Sequence, residues 1–446
     1  MWCFAIGQFG WSLLSALITN WLVYFYEPTT ENIEAGQTLF IPQGRVILGI
    51  VTIIGGIAAL GRIFDAISDP LIANMSDRSR NPKGRRIPFM KKIAIPFAAV
   101  TVLVFWAPVN GVSTINGIWL LVTLMMFYLF MTTYCTPYNA LISELGNTQD
   151  TRISISTYIS VTFILGSAIG YVAPYIWGAL EPSMGRVMAV RVTFMILAAI
   201  GLIALLVPVF TIKETDYVKA VPSNDNAFQS LGKTFKNKEF RKFVASDVLY
   251  FLAITIFQTG LPYFITKLMG LEETMTTILY VAMTFMSFLC YAPVNFLAHK
   301  FNKKKLVLCG FAGLGVVYAI TAISGNFGLN GLVWGGIIVA CAAFPMAIMG
   351  ILPQAIVADI AQADAVVTGE KREGMFFAAR TFAFKMGQSV SMLLFTAFAS
   401  ISPETGLGYR IAAITACVVC ALGGLILTLY NEKKVLGIIV PGEKNR

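Results

Sequence analysis

The chain has 446 residues, of which 57% are hydrophobic and only 13% charged, well below the charge density of water-soluble proteins. That composition excludes a soluble enzyme, and the apolar content suffices for about twelve spanning helices of ~20 residues each. The net charge of +10 points to membrane topology rather than to nucleic acid, because Lys and Arg sit in short loops between apolar runs.

Taken in chain order, runs long enough to span a bilayer as helices fall at 1–27, 46–75, 89–109, 117–145, 153–180, 187–212, 243–268, 274–299, 306–325, 330–358, 375–401 and 408–430. The fold expected is an all-α polytopic membrane protein. The first run lacks a basic flank and a small-residue cleavage site, and is too long for a signal peptide's apolar region, so it reads as a retained helix. Lys and Arg gather on the cytoplasmic side of membrane proteins. Here they cluster after the second run (Arg78, Arg80, Lys83, Arg85, Arg86), the sixth (Lys213, Lys219, Lys233, Lys236, Lys238) and the eighth (Lys303, Lys304, Lys305), whereas 109–116 and 324–331 carry no charge. Both termini are therefore expected in the cytoplasm, with the chain in a bacterial-type inner membrane.

The longest polar stretch contains Pro222, Ser223, Asn224 and Asp225. It divides the chain into an expected six-helix bundle at 1–212, a cytoplasmic linker at 213–242, a second bundle at 243–431 and a tail at 432–446. The halves resemble each other: Asn139–Leu145 matches Gln354–Ile360 in residue type, and Pro70 and Pro293 each precede a basic loop. Parallel repeats of this kind occur in transporters that bind solute between two related halves.

Catalytic chemistry has little support. The seven cysteines lie almost entirely in apolar runs, where they act as small hydrophobes. Cys417 and Cys420 form a CxxC among Ala, Val and Leu, without the setting of a metal or redox centre. His299 is the single histidine, and zincin, Walker A and Ser/His/Asp patterns are missing. No cofactor is expected and the chain is not read as an enzyme.

Charges inside the apolar runs carry the functional signal, since each costs at least about 2.5–3.5 kcal/mol to insert. The second run holds Arg62, Asp65 and Asp69. The two aspartates share one helical face, and binding Na⁺ or a proton relieves their mutual repulsion. The alternative is a plain Arg62–Asp65 ion pair with Asp69 capping toward the loop. Arg380 and Lys385 lie in the eleventh run. A mid-span lysine needs a counter-ion, for which the second-run aspartates are candidates; the alternative is a lysine that snorkels to the surface. Asp247 and Arg191, nearer the ends of their runs, suit solvated or gate-type roles. Gly166-Ser-Ala-Ile-Gly170 is a small-xxx-small face suited to helix packing.

The run Arg62-Ile-Phe-Asp65-Ala-Ile-Ser68-Asp69-Pro70, followed by Asp77-Arg78-Ser79 and Gly84-Arg85-Arg86-Ile87-Pro88, resembles the signature of the glycoside/pentoside/hexuronide:cation symporters, the melibiose-permease-like family of the major facilitator superfamily. Gly7–Gly10, Thr136–Leu141, Ala358-Asp359 and Arg372-Glu-Gly374 extend the resemblance over nearly the whole chain. It implies a major facilitator fold and cation-coupled symport by alternating access. By position it puts the cation site on Asp65, Asp69 and Thr132, with Ser68 where the melibiose permease has asparagine, and the eleventh-run lysine at Lys385; Arg62 and Lys385 are the candidate coupling charges. The sugar-binding carboxylates of the melibiose permease are replaced by Ser12 and Cys135, so its galactoside contacts do not transfer.

The substrate candidates are Trp11, Ser12, Cys135, Tyr138, Asn139, Arg380 and Gln388, and Asp77, Arg78, Arg85 and Arg86 are expected to form a gating loop. The partners implied are a small solute, a sugar or glycoside foremost and a lysolipid as the alternative, a monovalent cation and the lipid bilayer. Nucleic acid is not among them, and the chain is expected to act as a monomer.

Overall fold

The computed structural model describes residues 2–44, 52–77, 79, 81–82, 84–145, 149–216, 227–369, 373–402 and 404–439. Among them no strand occurs, and the helices are α1 (Trp2–Tyr26), α2 (Thr30–Glu34), α3 (Ile53–Asp77), α4 (Ile87–Val104), α5 (Thr114–Leu145), α6 (Gln149–Gly170), α7 (Ala173–Met184), α8 (Arg186–Thr211), α9 (Ala227–Thr234), α10 (Lys238–Tyr263), α11 (Met275–Leu289), α12 (Tyr291–Lys300), α13 (Lys303–Ile323), α14 (Gly331–Thr368), α15 (Glu373–Ala399), α16 (Leu407–Thr428) and α17 (Glu432–Ile439).

Among the described residues, 11 helical segments are long and apolar enough to cross a membrane. The second apolar run, α3, falls outside that set because any 18-residue stretch of it contains Arg62, Asp65 and Asp69. Helices satisfy their backbone groups internally, which a bilayer interior requires. Large apolar side chains accordingly face outward, such as Ile203 and Phe210, each 67% exposed.

Two runs are broken rather than continuous. The fifth becomes α6 and α7, with Pro174 in the first turn of α7, where a missing amide costs least. The eighth becomes α11 and α12, divided at Cys290 just before Pro293. A π-helical turn, Phe264–Leu268, follows α10. Part of the stretch read as a linker is helical: α9 lies within it, and α10 starts there, its first amides capped by the Asn237 side chain, which accepts from Glu239 N and Phe240 N at 3.1 Å. Glycine ends α14, where Gly369 takes φ +73.

The helices pack as two compact units, Met1–Asp225 with Glu273–Ile278, and Asn226–Glu272 with Leu279–Arg446. In the first, α1 packs on α6 and α8, α5 on α3 and α4, and α4 on α8. The second repeats the order, with α10 on α15 and α16, α13 on α14, and α13 on α16. The small-xxx-small face of α6 packs as its pattern predicts: a Cβ on Gly166 would meet Ser12 Oγ at 2.1 Å, and one on Gly170 would meet the Ala16 Cβ at 2.7 Å.

Candidate functional site

Asp65 and Asp69 lie one turn apart on α3, and α5 packs against that face. The Thr132 hydroxyl of α5 reaches both carboxylates, 2.8 Å from Asp65 Oδ1 and 3.1 Å from Asp69 Oδ1. A hydroxyl has one proton, so it serves one carboxylate fully or both weakly. Ser68 Oγ donates to the Asp65 carbonyl at 3.0 Å and sits 3.4 Å from Thr132 Oγ. Asp65 is 0% exposed, Thr132 1% and Ser68 4%. Two carboxylates and two hydroxyls thus converge inside unit 1, all buried except the half-buried Asp69.

Arg62 lies on the same helix, three residues before Asp65. Its Nη1 lies 4.0 Å from Asp65 Oδ2, beyond hydrogen-bond range. Its Nη2 donates to Thr19 Oγ1 at 3.1 Å, and its guanidinium stacks 5.1 Å over Tyr128. The guanidinium is thus divided among three partners. Hard oxygen donors of this kind suit Na⁺, or H⁺ with one carboxylate protonated. Among the described residues no three His, Cys, Asp or Glu converge on a metal position.

The solute candidates separate. Trp11 is half-buried, 6.0 Å from Phe163 by ring centroids, and its indole N–H has no hydrogen-bond partner among the described residues. Cys135 and Gln388 are half-buried and Asn139 is exposed. Ser12 instead packs on Gly166, its hydroxyl donating to the Phe9 carbonyl at 3.1 Å. Tyr138 is 0% exposed, stacks on Phe4 and donates to the Phe4 carbonyl at 2.8 Å. Both hydroxyls are committed to helix packing.

Arg380 is committed as well. Its Nε and Nη2 donate to the two oxygens of Asp247 at 2.7 and 3.0 Å, with Arg380 7% and Asp247 3% exposed. Of the solvated or gate-type roles expected for Asp247, the solvated one is corrected by this: its position near the end of the apolar run did not reveal the cation across from it on α15. Arg191 is likewise half-buried rather than solvated, donating to the carbonyls of Phe105 and Ala107 and stacking 5.1 Å from the Trp106 ring. Lys385 is 9% exposed on α15, so it does not snorkel to a surface.

The loop residues Arg85 and Arg86 both bond through their backbone amides, and Arg86 through its side chain as well. Glu214, just past α8, accepts from the amides of Arg85 (2.8 Å), Arg86 (2.8 and 3.1 Å) and Ile87 (2.9 Å), holding the N-terminus of α4. The Arg86 guanidinium donates to Ser76 Oγ at the end of α3 at 2.8 Å. Arg78 and the Asp77 side chain lie outside the described residues. The second unit has the same device: Glu432 accepts from the amides of Lys303 and Lys304 at 3.0 and 3.1 Å, and Lys303 Nζ binds Asp359 at 2.6 Å. Glu214 and Glu432 were not singled out in the sequence, although each follows an apolar run at corresponding places in the two halves.

A family model described as MFS/sugar transport protein matches residues 3–435. An uncharacterized symporter of Bacillus subtilis (strain 168), YjmB, is 26% identical over 81% of this chain and 78% of its own. The sodium-dependent lysophosphatidylcholine symporter 1 of Xenopus tropicalis is 34% identical over 25% of this chain and 21% of its own length. The crystal structure of a D-xylose-proton symporter has the same fold, with TM-score 0.67 at 14% identity over 94% of this chain and 95% of that one.

Proposed function

The chain belongs to the MFS/sugar transport protein family, and from that premise we propose that it moves a small solute, a sugar or glycoside, in symport with Na⁺ or H⁺ by alternating access. It is an integral membrane transporter with the major facilitator fold and not an enzyme. The observation that carries the coupling is the Thr132 hydroxyl set between the buried carboxylate of Asp65 and the half-buried one of Asp69, at 2.8 and 3.1 Å. Adjacent carboxylates in a low-dielectric interior repel, so a cation or proton binds there readily and leaves when the site rewets. Asp65, Asp69, Thr132 and Ser68 hold the ion in this reading, and Arg62 sets its affinity from 4.0 Å away.

Solute recognition is assigned within unit 1 to the half-buried Trp11 and Cys135 together with Asn139, the indole N–H of Trp11 being a donor with no other partner among the described residues. Arg380, paired with Asp247, is a support rather than a handle for an anionic solute. The basic loops favour a cytoplasmic location for both termini in a bacterial inner membrane.

Uptake into proteoliposomes tests the proposal. Sugars and glycosides are offered with and without an inward Na⁺ gradient, and with and without a proton gradient. Accumulation above equilibrium under one gradient supports symport and identifies the ion. Equilibration without accumulation under either gradient overturns it. The lysophosphatidylcholine symporter of Xenopus tropicalis justifies one further arm with that lipid, since 34% identity links the two chains over 113 residues; accumulation of it alone would move the substrate class from sugars to lysolipids.

A further inference from the structure

One corner of unit 2 holds more lysines than its own carboxylates use. α12 ends at Lys300, the chain turns through Phe301 and Asn302, and α13 starts at Lys303. Glu432, in the first turn of α17, accepts from the amides of Lys303 and Lys304 at 3.0 and 3.1 Å, so the starts of α13 and α17 abut. Lys303 Nζ holds Asp359 at 2.6 Å, and Lys304 Nζ donates to the carbonyls of Thr428 and Tyr430 at 2.7 Å each, closing the end of α16. Glu239 reaches the same corner from α10 and is bonded to Lys242 Nζ and the Asn431 amide, both at 3.0 Å. These three carboxylates are thus engaged within the corner itself.

Four lysines are left over. Lys300, Lys305, Lys433 and Lys434 are exposed, and their ammonium groups make no hydrogen bond or ion pair among the described residues. Lys305 adjoins Lys304, Lys433 and Lys434 follow Glu432, and Lys300 precedes the same turn, so all four flank the Glu432 contact. Apolar surface continues from them. Phe296, 69% exposed, lies one turn from Lys300 on the same face of α12, and Phe301 is exposed in the turn itself. On α13 the exposed Lys305, Cys309, Ala312 and Val316 follow one another at helical spacing. Their short side chains leave a low face against which an acyl chain can lie. α17 packs on α14 with Val435 buried, which leaves Leu436 exposed beside Lys433 and Lys434. A cationic corner that passes into apolar surface within two helical turns matches a membrane boundary, where lysine stems rest on apolar groups and their heads meet phosphate.

We propose that this corner binds an anionic phospholipid, its headgroup among Lys300, Lys305, Lys433 and Lys434 and an acyl chain along the Lys305–Val316 face of α13. Charge complementarity selects an anion, and the adjoining apolar faces select a lipid over a soluble phosphate, which would leave Phe296 and the α13 face without a role. Bound there, the headgroup ties α17 to the α12–α13 turn from outside, as Glu432 does from inside. The site lies within unit 2 and is independent of the solute or ion carried. Sequence alone places Lys433 and Lys434 in a terminal tail; their meeting with Lys305 depends on the Glu432 contact across 128 positions.

The test compares two lipids on the purified full chain. Dioleoyl phosphatidylglycerol and dioleoyl phosphatidylcholine share phosphate and chains and differ in net charge, and native mass spectrometry in detergent gives the affinity of the first molecule bound. Phosphatidylglycerol should bind about tenfold more tightly or better. Lys300→Gln/Lys305→Gln and Lys433→Gln/Lys434→Gln should each weaken it about twentyfold to thirtyfold, on the order of fivefold per lysine. Lys91→Gln/Lys92→Gln, the same charge change at exposed positions of α4 in unit 1, should cost less than about twofold. A diazirine-bearing phosphatidylglycerol should crosslink within residues 296–316. Without lipid, both site variants should melt with the parent, since none of the four ammonium groups has a partner to lose. Parent affinity in both site variants overturns the proposal, as does equal binding of phosphatidylcholine. An equal loss in the α4 variant would assign the binding to overall charge, and displacement by inorganic phosphate at constant ionic strength would make this a free-anion site; either result also overturns it. So does a lowered melting temperature in both site variants without lipid, which would give the lysines a role in the fold instead.

Discussion

Asp247 and Arg380 form a two-point ion pair in which both carboxylate oxygens and two guanidinium nitrogens are used, at 2.7 and 3.0 Å, with both side chains buried. Breaking such a pair from one side leaves an uncompensated buried charge, whereas removing both charges can be nearly neutral. Asp247→Ala and Arg380→Ala should each destabilise the protein by about 3–5 kcal/mol. The double variant Asp247→Leu/Arg380→Met should recover most of that loss. Thermal unfolding in detergent measures all three. A double variant as unstable as the singles would show that the pair does more than neutralise itself.

Thr132 predicts a different pattern. Its hydroxyl bridges two carboxylates, at 2.8 Å from Asp65 and 3.1 Å from Asp69. Thr132→Ser should keep cation affinity within about threefold, while Thr132→Val should weaken it on the order of tenfold to a hundredfold through loss of one oxygen ligand. Calorimetric titration with Na⁺, and proton release followed with a pH indicator, distinguish the two variants. Equal affinities in Thr132→Val and the parent would place the ion elsewhere.

How much of this was legible in the sequence depends on range. The helices were, because each run of about 20 apolar residues has one low-energy form in a bilayer. The aspartates of α3 were too, since charge within such a run stands out, and Thr132 came only from the family resemblance. Side-chain commitment was not legible: Ser12 and Tyr138 look like cavity polar groups until Gly166 and Phe4 are seen against them. The helix caps were equally hidden. Glu214 meets Arg85 across 129 positions of sequence, and nothing in a polar loop announces a partner at that distance.

The cap at Glu214 makes its own prediction. Gly84 takes φ +110, and a Cβ there would lie 2.2 Å from Glu214 Oε2. Gly84→Ala therefore suffers twice, from a backbone region that disfavours side chains and from collision with the cap. A loss of about 2–4 kcal/mol is expected, against about 1–2 kcal/mol for Glu214→Gln, which keeps one accepting oxygen and the shape. Chemical or thermal unfolding ranks them. If Gly84→Ala is the milder of the two, the loop adjusts and the carboxylate is the sole constraint.

Glu27 lies just past the end of α1, half-buried with its Oε2 away from solvent. Burial pushes its carboxyl up from 4.5 to about 8. The folded chain then keeps a proton that the unfolded chain gives up, so this group's contribution is full below pH 4.5 and is lost as pH rises to about 8. Glu27→Gln, neutral at every pH, should remove that loss. The melting temperature of the variant relative to the parent should increase between about pH 5 and pH 8. A difference that stays constant across that range would mean Glu27 ionises normally in the folded protein.

The strongest constraint on the coupling comes from linkage. If solute binds more tightly when the ion is present, then the ion binds more tightly when solute is present, by the same factor. Asp65→Asn and Asp69→Asn each remove one of the two charges facing Thr132, which sits 2.8 and 3.1 Å from them. Asparagine preserves shape and one accepting oxygen, so packing in α3 should survive; the lost quantity is charge. Both variants should therefore bind solute weakly and almost indifferently to Na⁺ or pH. Asp65, fully buried, should show the larger effect, because in a site closed to water neither solvent nor salt screens the missing charge. Titration of solute by calorimetry over a range of Na⁺ and pH gives the coupling factor for each variant. Retention of the parent's cation-dependent affinity in both would make the aspartate pair structural, and the protein a carrier that equilibrates its solute without concentrating it.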